Sequence, residues 1–151
     1  MKKFVLSLCA FFAFAGCSTS QKVSSSSNAR NIQPRSAFVV THEGRSKDMD
    51  KNLKNALFAH GVAVSFGVSR PEPLKTDLLV TYDDSWHWDL AMYLRKLNIQ
   101  FMDASGNILV TGDWENSALH GFPDAGKITS GLVNEMMGQL KPLASQKQAL
   151  N

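Results

Sequence analysis

Cysteine is almost missing from this chain. Two occur, Cys9 and Cys17, and both lie within the first seventeen residues. Beyond them there is no pair for a disulfide, no thiolate for a metal and no cysteine nucleophile. Whatever folds after Cys17 must rest on an apolar core rather than on covalent staples. Long apolar runs are missing too. Residues 4–15, twelve in all, are apolar except for Ser7, whereas crossing a bilayer takes about 20. No block of Lys or Arg follows, so nucleic-acid binding gains no support. Gly44, Gly61, Gly67, Gly106, Gly112, Gly121 and Gly126 form no phosphate loop, and no serine sits in G-x-S-x-G.

What is present begins with a leader. Lys2 and Lys3 make a positive start, residues 4–15 have the length of a signal-peptide apolar region, and the run closes Phe14-Ala15-Gly16-Cys17. That ending resembles the lipobox of bacterial lipoproteins, with Phe14 where leucine is usual. The resemblance implies cleavage before Cys17 and acylation of Cys17, a palmitate-bearing anchor in the cell envelope. Ser18 resembles an outer-membrane sorting residue, which implies a periplasm-facing domain in a Gram-negative cell. Cleavage would remove two of the 16 Lys and Arg and none of the 13 acids, leaving a formal charge of +1.

Composition then divides the chain. Residues 1–16 read as signal peptide, 17–34 as lipid anchor and flexible linker containing Ser24-Ser25-Ser26-Ser27, 35–141 as one domain, and 142–151 as a polar tail. A flexible linker of that length would hold the domain roughly 20–25 Å from its anchor. Within the domain, Ala37 to Thr41 is rich in β-branched residues. Met49, Leu53, Ala56, Leu57 and His60 recur at helical spacing after Ser46, with Asp48 and Asp50 near the positive end. Gly61 suits the helix terminus. Val62, Val64, Phe66 and Val68 alternate, as do Leu78, Val80 and Tyr82. A long strand is expected from Trp88 to Met102 and another from Ile108 to Trp114. Ile128, Leu132, Val133, Met136, Met137 and Leu140 line a second helix, with Asp124 as its cap and Pro142 as its stop. The predicted fold is a two-layer α+β domain with a mainly antiparallel sheet of about five strands, two helices on one face, and the order β-α-β-β-β-β-α.

A turn at Asp103-Ala104-Ser105-Gly106 predicts that Phe101 faces Ile108, Ile99 faces Val110 and Leu97 faces Gly112, with Lys96 opposite Asp113 on the polar side. A turn at Asp84-Ser85-Trp86-His87 would pair Val80 with Ala91 and Leu78 with Tyr93. This parity leaves Leu79, Trp88, Leu90, Met92 and Leu94 together on the outer face, a candidate contact face for an envelope protein or for a second copy of the chain. A bulge near Arg95 would swap the faces, and the linker, the proline loop or the C-terminal tail could instead cover the patch.

Asp83, Asp84, His87 and Asp89 crowd the same expected turn. Carboxylates beside an imidazole could hold a divalent cation or serve a metal-dependent hydrolase. Yet the spacing matches no ligand motif, and Asp and Ser are ordinary turn residues. His42, His60 and His120 stand apart at element ends or in loops. The residues thus predict no catalytic group, no bound metal and no cofactor. The expected function is non-catalytic binding or assembly; a small apolar ligand between sheet and helices is another reading.

The stretch Asp77-Leu78-Leu79-Val80-Thr81-Tyr82, then Trp86-His87-Trp88-Asp89, then Leu97-Asn98-Ile99-Gln100-Phe101-Met102-Asp103, then Gly106-Asn107-Ile108-Leu109 and Gly112, resembles a class of small bacterial envelope lipoproteins. The resemblance implies an α+β domain facing the periplasm. It supplies no catalytic residue.

Overall fold

The computed structural model describes residues 19–29, 31–42, 48–116 and 121–141. Cys17, Ser46, His120 and Pro142 lie outside them, as do the expected leader and tail. The order is β1 (Ser20–Ser25), β2 (Ser36–Val40), α1 (Met49–Phe58), β3 (Ala63–Gly67), β4 (Leu78–Asp89), β5 (Ala91–Met102), β6 (Ile108–Glu115) and α2 (Ala125–Leu140). This is the expected α+β order preceded by one more strand. The sheet is mixed and runs β1-β6-β5-β4-β2-β3. Its β1–β6, β6–β5 and β5–β4 pairs are antiparallel, and β2 is parallel to both β3 and β4.

The extra strand corrects the linker. Residues 20–25 pair with β6 from Ser20↔Glu115 to Ser25↔Val110, and Ser26 N–H donates to the Leu109 carbonyl at 2.8 Å. A short 3-10 turn, Ser27–Ala29, then buries Ala29 completely. Only Val23 of β1 packs against the core. The flanking inward positions are polar because their partners are polar: Gln21 donates to Glu135 of α2 at 2.7 Å, and Ser25 to Gln139 at 3.4 Å. An edge strand of this kind is held by its backbone bonds and shows no apolar alternation.

Both helices cover one face. Met49, Leu53, Ala56 and Leu57 of α1 and Thr129, Leu132, Val133, Met136, Met137 and Leu140 of α2 are buried. They close on Val80, Tyr82, Leu97, Ile99, Phe101, Val110 and Trp114. Asp124 caps α2 by accepting from Lys127 N at 2.9 Å. Gly112 is required where α2 crosses β6: a Cβ there would stand 2.6 Å from Met136 Sδ and 2.9 Å from Leu132 Cδ1. Tyr82 Oη donates to Asp50 Oδ1 at 2.8 Å, and Thr129 Oγ1 reaches Met49 Sδ at 3.4 Å. Both helices therefore start at the level of Tyr82.

Two registers differ from expectation. The β5–β6 loop spans residues 103–107, so Phe101 faces Val110, Ile99 faces Gly112 and Leu97 faces Trp114. A slip of two residues keeps these three pairs on their face, while a shift between Phe101 and Met102 sets Ile108 opposite Met102 and turns it outward. The ion pair becomes Lys96–Glu115 at 3.1 Å, and Asp113 instead accepts from Asn98 Nδ2 at 2.7 Å. Asp103 drives the change by accepting from Ser105 N and from both nitrogens of Asn107. In the β4–β5 hairpin no turn forms at residues 84–87. Val80 faces Phe101, Tyr82 faces Ile99, and pairing continues to Asp89↔Ala91.

Asp77 joins the starts of β2 and β4. Its Oδ2 accepts from Arg35 N at 2.8 Å and from Ser36 N and Oγ at 3.0 Å each. The Arg35 N–H, foremost among these donors, holds the Asp77 carboxyl below the usual carboxylate range. A carboxyl lowered on folding stabilises the fold above its unfolded value, about 3.9, and the contribution fades as pH falls through the folded value. Asp77→Ala should cost about 1–2 kcal/mol at neutral pH, the site being exposed and screened. Urea titrations at pH 7 and pH 3 test this: the difference between native and variant should shrink at pH 3.

Candidate functional site

The candidate site is the far half of the β4–β5 hairpin. β4 runs seven residues past Tyr82 to Asp89, roughly 20 Å at strand rise, beyond the level where both helices begin. The resulting arm has a buried base and an exposed tip. The base is held by Leu94, fully buried, and by half-buried Trp86, which faces it. Tyr93 is also buried and takes the edge of Phe122, from the α2 entry, at 5.6 Å between ring centroids. At the tip, Trp88 and Met92 face each other, and Leu90 makes the turn.

A bulge sets this arrangement. Ser85 faces Lys96 but Trp86 faces Leu94, so Arg95 is the extra residue of β5. One extra residue inverts the alternation. Leu94 and Met92 consequently share the side of Leu97, and Tyr93 takes the opposite side. The proposed contact face is corrected here: Leu94 is 0% exposed and Leu79 5%, so both are interior. Trp88, Leu90 and Met92 remain outside at 71%, 89% and 42% exposure.

The acidic cluster is corrected as well. Asp83, Asp84, His87 and Asp89 lie along a strand, not around a turn, and alternation points Asp84 away from the other three. The Asp84 carboxylate accepts from the indole N–H of Trp86. The His87 ring stands 6.2 Å from that of Tyr93. Asp83 lines a cleft of about 480 Å³ with Lys22, Ser85, Lys96 and Asn98, and Leu97 and Trp114 add apolar surface to it. Among the described residues no three His, Cys, Asp or Glu side chains converge as a metal site.

His42 and His60 serve elsewhere. His42 Nε2 lies 2.6 Å from the Tyr82 carbonyl, its ring edge-on to that tyrosine. His60 borders a cleft of about 580 Å³ with Ile32, Pro34, Arg35, Met137 and Lys141. Burial, and then the charge of Lys141, holds His60 below its ordinary value. The interior itself is filled by side chains of both layers.

Sequence reasoning placed Leu90 on the contact face but missed that it makes the turn. It occupies φ +42°, left-handed backbone that a bulky side chain adopts at a cost. A turn built on Asp89-Leu90-Ala91 carries no glycine or asparagine signal. Only the length of the alternating segment, running from Leu78 to Met102 with one inversion, hinted at it.

No family model and no curated protein matches the chain. Solved structures do share its architecture. A PelC dodecamer from Paraburkholderia phytofirmans aligns over 83% of this chain and 99% of its own, with TM-score 0.54 and 12% identity. A variant of that dodecamer from the same organism gives TM-score 0.51 and 11% identity over the same shares. A minor lipoprotein from Acinetobacter baumannii aligns over 70% of this chain and 90% of its own at TM-score 0.36 and 15% identity. The two PelC likenesses concern the fold alone.

Proposed function

We propose that this chain is a lipid-anchored envelope protein that acts by contact rather than by chemistry, held through Cys17 at the outer membrane with its domain in the periplasm. The observation that carries the reading is the arm, whose tip presents Trp88, Leu90 and Met92 beyond the helical layer. Apolar side chains grouped in this way on a small domain mark a contact. The titratable groups along the same arm are spread over two faces, which suits binding better than acid–base work. Its partners are the membrane that holds Cys17 and an envelope protein or further copies of the chain; a fold shared with a dodecamer is compatible with copies.

Met92→Asp tests the reading. Met92 is 42% exposed, so the variant should unfold within about 1 kcal/mol of the native protein while losing the contact its arm makes. A domain unfolded by Met92→Asp would show that the tip is core. The anchor is read separately: intact mass of protein purified from membranes should show a chain beginning at Cys17 and bearing acyl groups.

A further inference from the structure

We propose that the tip of the β4–β5 arm seats in the surface of the same membrane that holds Cys17, with Trp88, Leu90 and Met92 entering its interfacial layer. The inference rests on the lipid-anchored reading above and names the partner of the arm.

The route of the chain supplies the geometry. β1 begins at Ser20, three peptide units after Cys17, so the two Cα atoms lie within about 11 Å of each other in any conformation. Ser20 pairs with Glu115, Glu115 with Lys96, and Lys96 with Ser85, one row across four strands. From that row β4 and β5 continue together to Asp89 and Ala91, about 13–16 Å further. β1 runs antiparallel to β6, and β6 runs toward the row from Ile108 to Glu115. The chain therefore enters the sheet at the end from which the arm projects. A lipid on Cys17 and the tip of the arm share that end of the molecule, with reaches of similar length.

The chemistry of the tip fits lipid. Tryptophan favours the membrane–water boundary, where its ring has one apolar and one polar partner. Leu90 is 89% exposed on backbone that suits glycine, so its side chain contributes nothing to the packing of its own domain. Asp89 beside it is exposed and limits entry to the headgroup level, since a carboxylate in hydrocarbon is costly. A second copy would have to reach this tip by diffusion, whereas the tether keeps the bilayer within about 11 Å of Ser20 at all times.

Tryptophan emission tests the proposal. The mature lipidated protein is reconstituted in phosphatidylcholine vesicles with or without bromine on the acyl chains, bromine quenching only nearby indoles. Brominated vesicles should quench part of the emission. Trp88→Phe should lose most of that quenching, because Trp86 and Trp114 are packed in the domain. Leu90→Asp and Met92→Asp should reduce it while shifting the melting temperature by less than about 8 °C and leaving the acylation of Cys17 unchanged. Equal emission in both vesicle types, from protein whose mass shows an acylated Cys17, would overturn the proposal and leave the anchor standing. The same equality with a Trp88 emission that shifts with protein concentration would assign the tip to a second copy instead. A mass without acyl groups would remove the anchored reading and this inference with it.

Discussion

Replacing Phe101 by alanine should destabilise the domain by about 3–5 kcal/mol. Phe101 is among the largest fully buried side chains, at 0% exposure. It sits on β5 between Val80 of β4 and Val110 of β6, at the centre of the sheet and under the helical layer. The truncation removes buried apolar surface and leaves a cavity that neighbours on three strands cannot collapse into without breaking their ladder. Domains of this size are stable by about 5–15 kcal/mol, so the variant should stand near its unfolding limit. Ile108, 46% exposed at the start of β6, is the control: Ile108→Ala should cost less than about 1 kcal/mol. Urea unfolding of both variants checks this. Equal losses would mean that β5 does not occupy the centre of the core.

The second large effect concerns location. Cys17→Ser should move the protein from the membrane fraction to the soluble fraction almost completely. One acyl chain holds a protein to a bilayer only marginally, while two signals make the attachment stable. The arm tip offers three apolar side chains at headgroup depth, which orient the domain but retain it less well than a lipid does. If both contacts act together, the native protein should resist extraction by salt and alkali, and Met92→Asp should remain membrane-bound. A Cys17→Ser protein that sediments with membranes as the native chain does would show that attachment comes from the domain or a partner.

Much of the core was legible because alternation and helical spacing report burial directly. Leu97, Ile99 and Phe101 fall on the helix-facing side as expected, and Asp124 caps α2. What was illegible has specific causes. The stretch Asp84-Ser85-Trp86-His87 reads as a turn yet lies in a strand, because β4 is exposed on one side there. The real turn at Leu90 uses left-handed backbone without a residue type that announces it. The Arg95 bulge adds one residue, and that alone moves Leu94 from surface to core. β1 is polar throughout except for Val23, so no hydrophobic period could reveal it; its partners on α2 are visible only in three dimensions. The misses at Leu90, Arg95 and β1 fall on the arm or on the strand that follows Cys17, whereas the β5–β6 register, set by Asp103, lies at the other end of the sheet.

The short distance between anchor and sheet depends on β1 being a strand. Amide hydrogen exchange of the membrane-bound protein addresses it residue by residue. Slow exchange within Ser20–Ser25, comparable to that of its partner β6, is the expected result. Exchange across residues 20–25 as fast as in an unstructured peptide would mean a loose tether, and neither the position of the domain over the membrane nor the seating of its arm would then follow.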